Sequence, residues 1–336
     1  MKYAAIGLCL YALQVGTPAQ AQDAALIAKA RQEGTVSLYT ISPTQIAQEF
    51  GKHFTDKYGI RVVIFRAGGG QIQQKLALEM RSNRVAADVV EIGDPTAINQ
   101  LASKGGIASY KPPGSETLAP GLLDSHDRWT TISQSVFPII YNKQMLGADT
   151  APQIYRDLAD PKWKDKIVLA SPNYGSTQTT LVKGLVELQG WSFIDALEAN
   201  SIMIARGFPD AENLIATGER SVGIDISSRY VEAIGKGVPL GVVFPADAIV
   251  AVQDVMAIME AAPHPNAARL LVEFYLTAPE QAFVAAGAGA YPVKAASGSP
   301  SGLPPLSSLK LHYIDLSDLE AHHSEIVSRW TNTLER

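Results

Sequence analysis

The chain has 336 residues, and its 28 basic and 33 acidic side chains give a formal net charge of −5. This acidic balance argues against binding to nucleic acid or to an anionic membrane surface. The length exceeds what one hydrophobic core comfortably serves, so two lobes are expected.

Residues 1–21 have the pattern of a cleavable secretory signal peptide. Lys2 precedes an apolar run over residues 4–13, and Ala19-Gln20-Ala21 is a small-x-small cleavage site. The apolar run is too short to span a bilayer, and a retained anchor is the alternative. The only cysteine, Cys9, lies in this run, so the mature chain would rely on its core rather than on disulfides. We therefore expect export, to the periplasm if the source is Gram-negative.

Strands and helices alternate along the first part of the mature chain. Ser42, Pro43 and Gln45 have the pattern of a capping box at a helix start, and Asp94 before Pro95 is a second N-cap candidate. Strands are predicted over residues 35–40, 60–65 and 87–92, and helices over residues 24–30, from residue 43 onward, 71–81 and 95–101. This alternation predicts a parallel sheet covered on both faces.

The same alternation continues after a polar segment, residues 107–135, that is predicted to be irregular. Thr277 and Glu280 suggest another capping box. Strands are predicted over residues 137–141, 166–170, 222–226, 238–244 and 252–259, and helices over 177–189, 191–199, 266–276 and 316–333.

The loop between the strand at 166–170 and the next helix is the strongest candidate for a binding site. It carries four hydroxyl groups, those of Ser171, Tyr174, Ser176 and Thr177. A helix N-terminus at the end of a strand offers unpaired backbone N–H groups and the positive end of the helix dipole. Because no nucleophile, base and acid converge in this stretch, we expect binding of a small molecule without chemical change.

The chain resembles a known family over nearly its full mature length, and three stretches carry the resemblance. They are residues 157–172, 263–281 and 290–294. On these residues the chain resembles the substrate-binding proteins of ABC importers, in the branch that includes the periplasmic ferric-iron-binding proteins.

The resemblance implies a type II periplasmic binding fold of the α/β class. Each of two lobes would have a mainly parallel sheet flanked by helices, and two crossing strands would form the hinge. We expect lobe 1 to comprise residues 22–136 and 245–293, and lobe 2 to comprise residues 137–244 and 294–336. The cleft between them would close on a ligand, and the closed form would dock on permease subunits in the inner membrane. Import energy would come from a separate ATPase, consistent with the lack of a GxxxxGK[ST] loop here.

The expected ligand depends on where the chain departs from the iron-binding branch. Arg229-Tyr230 aligns with the pair of tyrosines that holds iron in that branch, Pro43 falls near its histidine, and Asp94 near its acidic ligand. A guanidinium opposes a trivalent cation but grips carboxylate or phosphate oxygens. We therefore expect a small organic anion, namely a carboxylate, a phosphate ester or a phosphonate. A ferric-iron receptor that uses Tyr230 and Asp94 with a synergistic anion is the alternative.

The candidate ligand contacts lie at strand ends and helix starts. Several of them are equally well explained as helix caps, tight turns, hinge hydrogen bonds or surface ion pairs. The candidates are Thr40, Ser42, Gly69, Gly70, Asp94, Ser171, Tyr174, Ser176, Thr177, Arg229, Tyr230 and Asp247.

The sequence favours a binding protein over an enzyme. It has no G-x-S-x-G elbow and no cysteine beyond the predicted signal peptide, although a periplasmic hydrolase remains the alternative from another class. The six histidines have no metal-ligand spacing. We expect no cofactor and a monomeric protein; a sensory role on the same scaffold is a further possibility.

Overall fold

The computed structural model describes residues 18–119, 121–294 and 298–335. The predicted signal peptide therefore lies mostly outside the described residues, and its cleavage site falls at the start of the first helix. Within the described ranges, no helix has the length and apolar character needed to cross a bilayer.

Eleven α-helices and twelve strands make up the described part of the chain. The strands are β1 (Thr35–Thr40), β2 (Arg61–Arg66), β3 (Val89–Ile92), β4 (Thr130–Val136), β5 (Ile139–Asn142), β6 (Ile167–Ala170), β7 (Met203–Ala205), β8 (Val222–Ile224), β9 (Leu240–Val243), β10 (Ile249–Ile258), β11 (Tyr291–Pro292) and β12 (Leu311–Tyr313). The helices are α1 (Pro18–Glu33), α2 (Thr44–Tyr58), α3 (Gly69–Arg81), α4 (Pro95–Ala102), α5 (Ser176–Gln189), α6 (Trp191–Ala199), α7 (Phe208–Ala216), α8 (Ser227–Gly235), α9 (Pro265–Tyr275), α10 (Ala278–Phe283) and α11 (Leu316–Leu334).

The strands form two separate sheets. The larger sheet has the order β11-β4-β10-β3-β1-β2, with β12 also paired to β10. In it β1 runs parallel to β2 and β3, whereas β10 runs antiparallel to β3 and β4. The smaller sheet has the order β7-β6-β8-β5-β9. This is the predicted α/β architecture with two lobes, but both sheets are mixed rather than mainly parallel. Among the described residues, three of the six strand pairings in the larger sheet and two of the four in the smaller sheet are antiparallel. We call the two bodies the larger-sheet lobe and the smaller-sheet lobe.

The chain crosses between the lobes where β4 leads into β5 and where β9 leads into β10. The C-terminal segment contacts both lobes, because β12 pairs with β10 while α11 packs on α5, α6 and α4. The lobe boundaries proposed from the sequence remain a prediction.

Apolar periodicity explains why these helices pack where they do. Phe50 and Phe54 on α2 lie in the core on one face of the larger sheet, together with side chains of α9. Ile72 and Leu76 on α3 lie in the core on the opposite face, together with side chains of α4. Both pairs have the i, i+4 spacing of a buried helix face. A third core fills the smaller-sheet lobe.

Several local predictions were wrong. Pro43, not Ser42, occupies the N-cap position of α2, because the Ser42 hydroxyl donates instead to Glu91 at 2.6 Å. The predicted capping box at α10 does not form: the Thr277 hydroxyl donates to the Phe274 carbonyl at 2.8 Å, and Glu280 lies 3.2 Å from His53. The segment 107–135 was predicted to be irregular, yet its last six residues belong to β4.

Candidate functional site

The two lobes touch along a seam at the carboxyl ends of their parallel strands. The Thr177 hydroxyl of the smaller-sheet lobe donates to the Gly93 carbonyl oxygen at 3.3 Å, and the Thr180 hydroxyl donates to Asp94. A Cβ atom on Gly70 would lie 3.1 Å from the carbonyl oxygen of Tyr174. We call these six residues the interlobe seam. The structure thus brings together Gly70, Asp94, Tyr174 and Thr177 from the predicted site.

The N-terminus of α5 faces the seam. After β6 a short 3₁₀ helix, Pro172–Tyr174, leads to Gly175, which is the N-cap of α5 and has no side chain to accept the first N–H groups. The hydroxyl of the half-buried Ser176 has no hydrogen-bond partner among the described residues. This helix start therefore offers backbone N–H groups and a free hydroxyl to an anion.

The N-terminus of α3 approaches the seam from the other lobe. Gly68 is its N-cap, and the Gly68 N–H donates to the Gln71 side chain at 3.2 Å. Gly69 and Gly70 are the first helical residues. The absence of a side chain at Gly70 permits its close approach to Tyr174.

Asp94 caps α4 and also ties the lobes together. Its Oδ1 accepts a hydrogen bond from the Thr96 backbone N–H at 2.7 Å and another from the Thr96 hydroxyl, while Oδ2 accepts from Thr180. The side chain is fully buried, and this burial raises its pKa. The carboxylate is therefore already surrounded by three donor groups.

Arg229 lies at the start of α8 beside two carboxylates. Its Nη2 donates to Glu212 at 3.2 Å, and its Nε lies 3.9 Å from Asp225 Oδ2. Both that Nε and that Oδ2 are buried without a hydrogen-bond partner among the described residues. Burial raises the pKa of Asp225 well above its usual range, while the Arg229 charge acts in the opposite direction.

Tyr230, the neighbour of Arg229, points into the core of the smaller-sheet lobe. It is 6% exposed, and burial together with nearby Tyr141 raises its pKa. Within the described ranges, no group of three or more His, Cys, Asp or Glu side chains could hold a metal ion. In the alternative hypothesis Asp94 and Tyr230 bind iron together. In the structure Asp94 caps α4, and Tyr230 packs in the core of the smaller-sheet lobe.

Ser171 and Asp247 lie away from the seam, and Tyr174 meets the seam through its backbone carbonyl group. The Ser171 hydroxyl donates to Glu335 at 2.6 Å, close to the end of α11. The half-exposed ring of Tyr174 lies 5.1 Å from the Arg206 guanidinium. Exposed Asp247 accepts a hydrogen bond from the Ala248 N–H at 2.9 Å, near the second crossing.

Two buried carboxylates near the seam were missed by sequence reasoning. Glu91 on β3 is 4% exposed and accepts hydrogen bonds from the hydroxyls of Thr40 and Ser42, so these two predicted contacts are directed at it. Asp254 on β10 accepts from Ser133 at 2.8 Å and from Ser135 at 3.4 Å, both through Oδ2. Glu91 and Asp254 are each an acidic side chain within a mainly apolar strand. Because acidic side chains are rarely buried without a role, this pattern could have marked both as site candidates.

Burial raises the pKa of both carboxyl groups, and the charge of Glu91 also acts on Asp254. Burial raises the pKa of Asp254 to about 7, and the negative charge of Glu91 acts in the same direction. Burial also raises the pKa of Glu91, whereas the hydrogen bonds from Ser42 and Thr40 act to lower it. The larger-sheet side of the seam is therefore acidic, while the α5 side is rich in hydrogen-bond donors.

A cavity of about 840 Å³ lies next to the Asp94–Thr180 contact, on the hinge side. Its walls are mainly apolar and include Leu122, Val252, Tyr291, Leu306, Leu311, Ile314 and Leu316. Such a lining suits an apolar guest, so the seam is the better candidate for a charged one.

Comparison with known proteins gives one consistent picture. The sequence profile described as bacterial extracellular solute-binding protein matches residues 40–282. A putative 2-aminoethylphosphonate-binding periplasmic protein of Salmonella typhimurium is 22% identical over 251 residues, which is 72% of each chain.

Two solved structures share the fold. The periplasmic binding protein AfuA from Actinobacillus pleuropneumoniae, with exogenous fructose-6-phosphate bound, has a TM-score of 0.80 and 22% identity, covering 90% of this chain and 99% of AfuA. Iron-bound HitA from Pseudomonas aeruginosa has a TM-score of 0.76 and 22% identity, covering 89% of this chain and 99% of HitA. At this identity the likeness shows the two-lobed type II periplasmic binding fold.

Proposed function

The chain belongs to the family of bacterial extracellular solute-binding proteins, and from this membership we propose that it captures a small organic anion for an ABC importer. The anion is a carboxylate, a phosphate ester or a phosphonate, and it lies in the interlobe seam. The closed protein delivers it unchanged to permease subunits in the inner membrane.

The observation that carries this proposal is the start of α5. Its first N–H groups have no side-chain cap, and the Ser176 hydroxyl stands beside them, while the Thr177 hydroxyl donates to Gly93 at the seam. Hydrogen bonds from N–H groups to an anionic oxygen are about twice as strong as those between neutral groups. Closure of the lobes strengthens them further by excluding water.

Arg229 is the second proposed anion contact. Its Nη2 is engaged by Glu212, but its buried Nε has no acceptor among the described residues. The Arg229 side chain as a whole is 24% exposed, so the proposed donor to a ligand oxygen is the exposed part of its guanidinium. Gly69 and Gly70, at the start of α3, are proposed as the backbone contacts from the opposite lobe.

Two of the similar proteins support a phosphorus-containing anion. The Salmonella relative is named for 2-aminoethylphosphonate, and AfuA was solved with fructose-6-phosphate. HitA, by contrast, was solved with iron. The surroundings of Asp94 and Tyr230 here favour the anion over the metal, because Asp94 is occupied by three donors and Tyr230 packs in a core.

Isothermal titration calorimetry with a panel of ligands tests the proposal. The panel comprises alkylphosphonates, sugar phosphates, dicarboxylates and ferric ion. We expect one anion class to bind with micromolar or tighter affinity, about −8 kcal/mol, and NMR to recover the ligand unaltered. A visible charge-transfer band with ferric ion that disappears in Tyr230→Phe would support the iron receptor instead. Turnover of a bound ester would support a hydrolase.

A further inference from the structure

We propose that Asp254, with Glu91 beside it, forms a subsite for an ammonium group, so that the ligand is a zwitterion rather than a simple anion. This inference rests on the proposed function. The start of α5 would hold the anionic group of the ligand, and Asp254 would hold its ammonium group.

The sheet register places Asp254 at the seam. Val255 on β10 pairs with Ile92 on β3, so Asp254 lies across from Gly93. A Cβ atom on Gly93 would lie 2.8 Å from Thr177 Oγ1, 3.1 Å from Ile41 Cδ1 and 3.4 Å from Asp254 Oδ1. The two oxygens therefore approach the same face of Gly93, beside the Ile41 methyl group. A carboxylate and the start of α5 meet there.

One oxygen of Asp254 is available to a guest. The side chain is 8% exposed, and Ser133 and Ser135 both donate to Oδ2. Oδ1 has no hydrogen-bond partner among the described residues, and it is the oxygen directed at Gly93. The residual exposure of Asp254 leaves this oxygen open to a guest, and an ammonium group would supply both a donor and a countercharge.

The charges around this oxygen select for a cation. Glu91 is close enough to raise the pKa of Asp254, and Tyr275, buried nearby, is neutral. Arg66 stands near Glu91 but donates to the carbonyls of Ile41 and Ser42. Among the described residues, neither carboxylate forms a salt bridge with a basic side chain. A purely anionic ligand would be repelled at this position, whereas a zwitterion would offset the acidic side of the seam.

A pair of ligands that differ only in the ammonium group tests the subsite. Calorimetry compares 2-aminoethylphosphonate with ethylphosphonate on the wild-type protein, on Asp254→Asn and on Asp88→Asn. Asp88 is the matched control, since it is fully buried at the far end of β3, where it accepts hydrogen bonds from the Ser37 and His264 N–H groups.

We expect the wild-type protein and Asp88→Asn to prefer the amino compound by about tenfold or more, and Asp254→Asn to lose most of this preference. Equal affinity for the two ligands on the wild-type protein overturns the subsite alone. A preference that survives in folded Asp254→Asn also overturns it. Failure of every phosphonate, phosphate ester and carboxylate to bind overturns the proposed function and the subsite with it.

A second measurement on the wild-type protein needs no variant to fold. Titration at pH 7 in buffers of different ionisation enthalpy counts the protons exchanged on binding. An ammonium group at Asp254 releases protons, because it lowers the pKa of that carboxyl. The second ionisation of a phosphonate also lies near neutral pH, so the same titration with ethylphosphonate provides the baseline. Proton uptake by the amino compound beyond that baseline would contradict the proposal.

Discussion

The Thr177 hydroxyl on α5 donates a 3.3 Å hydrogen bond to the carbonyl oxygen of Gly93, which follows β3 in the opposite lobe. One turn further along α5, Thr180 donates to Asp94. Residues three apart lie on one face of a helix, so this face makes both closing contacts. The same helix presents its N-terminus to the proposed ligand. In the proposed function, ligand capture and lobe closure therefore both use α5.

The first prediction concerns the Thr180–Asp94 contact. Thr180→Val keeps the shape of the side chain but removes the donor, so the closed form loses a hydrogen bond to a charged group. We expect ligand affinity to fall by about 1.5 kcal/mol or more, by calorimetry. Thr55→Val is the control, because the Thr55 hydroxyl bonds only within the larger-sheet lobe, to Gly51 and Ile60. A loss of equal size in the control would mean that closure does not depend on this contact.

The second prediction separates stability from closure at the start of α3. In Gly70→Ala the new methyl group lies 3.1 Å from the Tyr174 carbonyl oxygen, which obstructs closure. Alanine also favours a helix over glycine by about 0.5–1 kcal/mol, so the unliganded protein should not lose stability.

Gly235→Ala is the matched control for this change, because Gly235 is also a helical glycine, at the end of α8. A methyl group there would meet no atom within 4 Å. We expect Gly70→Ala to bind ligand at least about tenfold more weakly, while Gly235→Ala binds normally. At a ligand concentration that closes the wild-type protein, small-angle scattering should show a smaller fraction of Gly70→Ala in the compact, closed form. Full compaction of that variant would rule out the close approach as a requirement.

The third prediction is a pH dependence of stability. The folded-state pKa of Asp254 is about 7, above its ordinary value of 3.8, so the folded state binds more protons between these values. Stability of the unliganded protein should therefore fall as pH rises from about 4 to 7. Asp254→Asn removes this contribution and should show a shallower slope in chemical denaturation. Glu91 contributes a change of the same sign, because burial raises its pKa as well. Parallel slopes for the wild-type protein and the variant would contradict the assignment.

The fourth prediction concerns Arg229. Arg229→Met leaves buried Asp225 without its nearest positive charge, and we expect unfolding free energy to fall by about 2 kcal/mol. Ligand affinity should also fall, by about 2 kcal/mol or more. Arg128→Met removes an ion pair with Asp124 that belongs to the larger-sheet lobe, so it should lower stability without changing affinity. Unchanged affinity in folded Arg229→Met would remove Arg229 from the site.

Local patterns predicted the elements well and the contacts between elements poorly. The strand at residues 35–40 and the buried face of α3 followed directly from apolar periodicity. Ser42 was misassigned because its hydroxyl bonds to Glu91, 49 residues away, rather than to its own helix. Glu91 and Asp254 lie near each other only because β10 pairs with β3 in one register. Pairing between strands that lie far apart in the sequence cannot be predicted from short sequence windows.

The binding claim as a whole is tested most directly by native mass spectrometry of the freshly purified protein, repeated after the bound material is removed and the phosphonates, phosphate esters and carboxylates are added back. We predict a single small organic anion bound one to one, released intact on denaturation and regained from one class of probe. A protein that carries iron, that releases only cleaved products, or that gains mass with none of the probes would contradict the account.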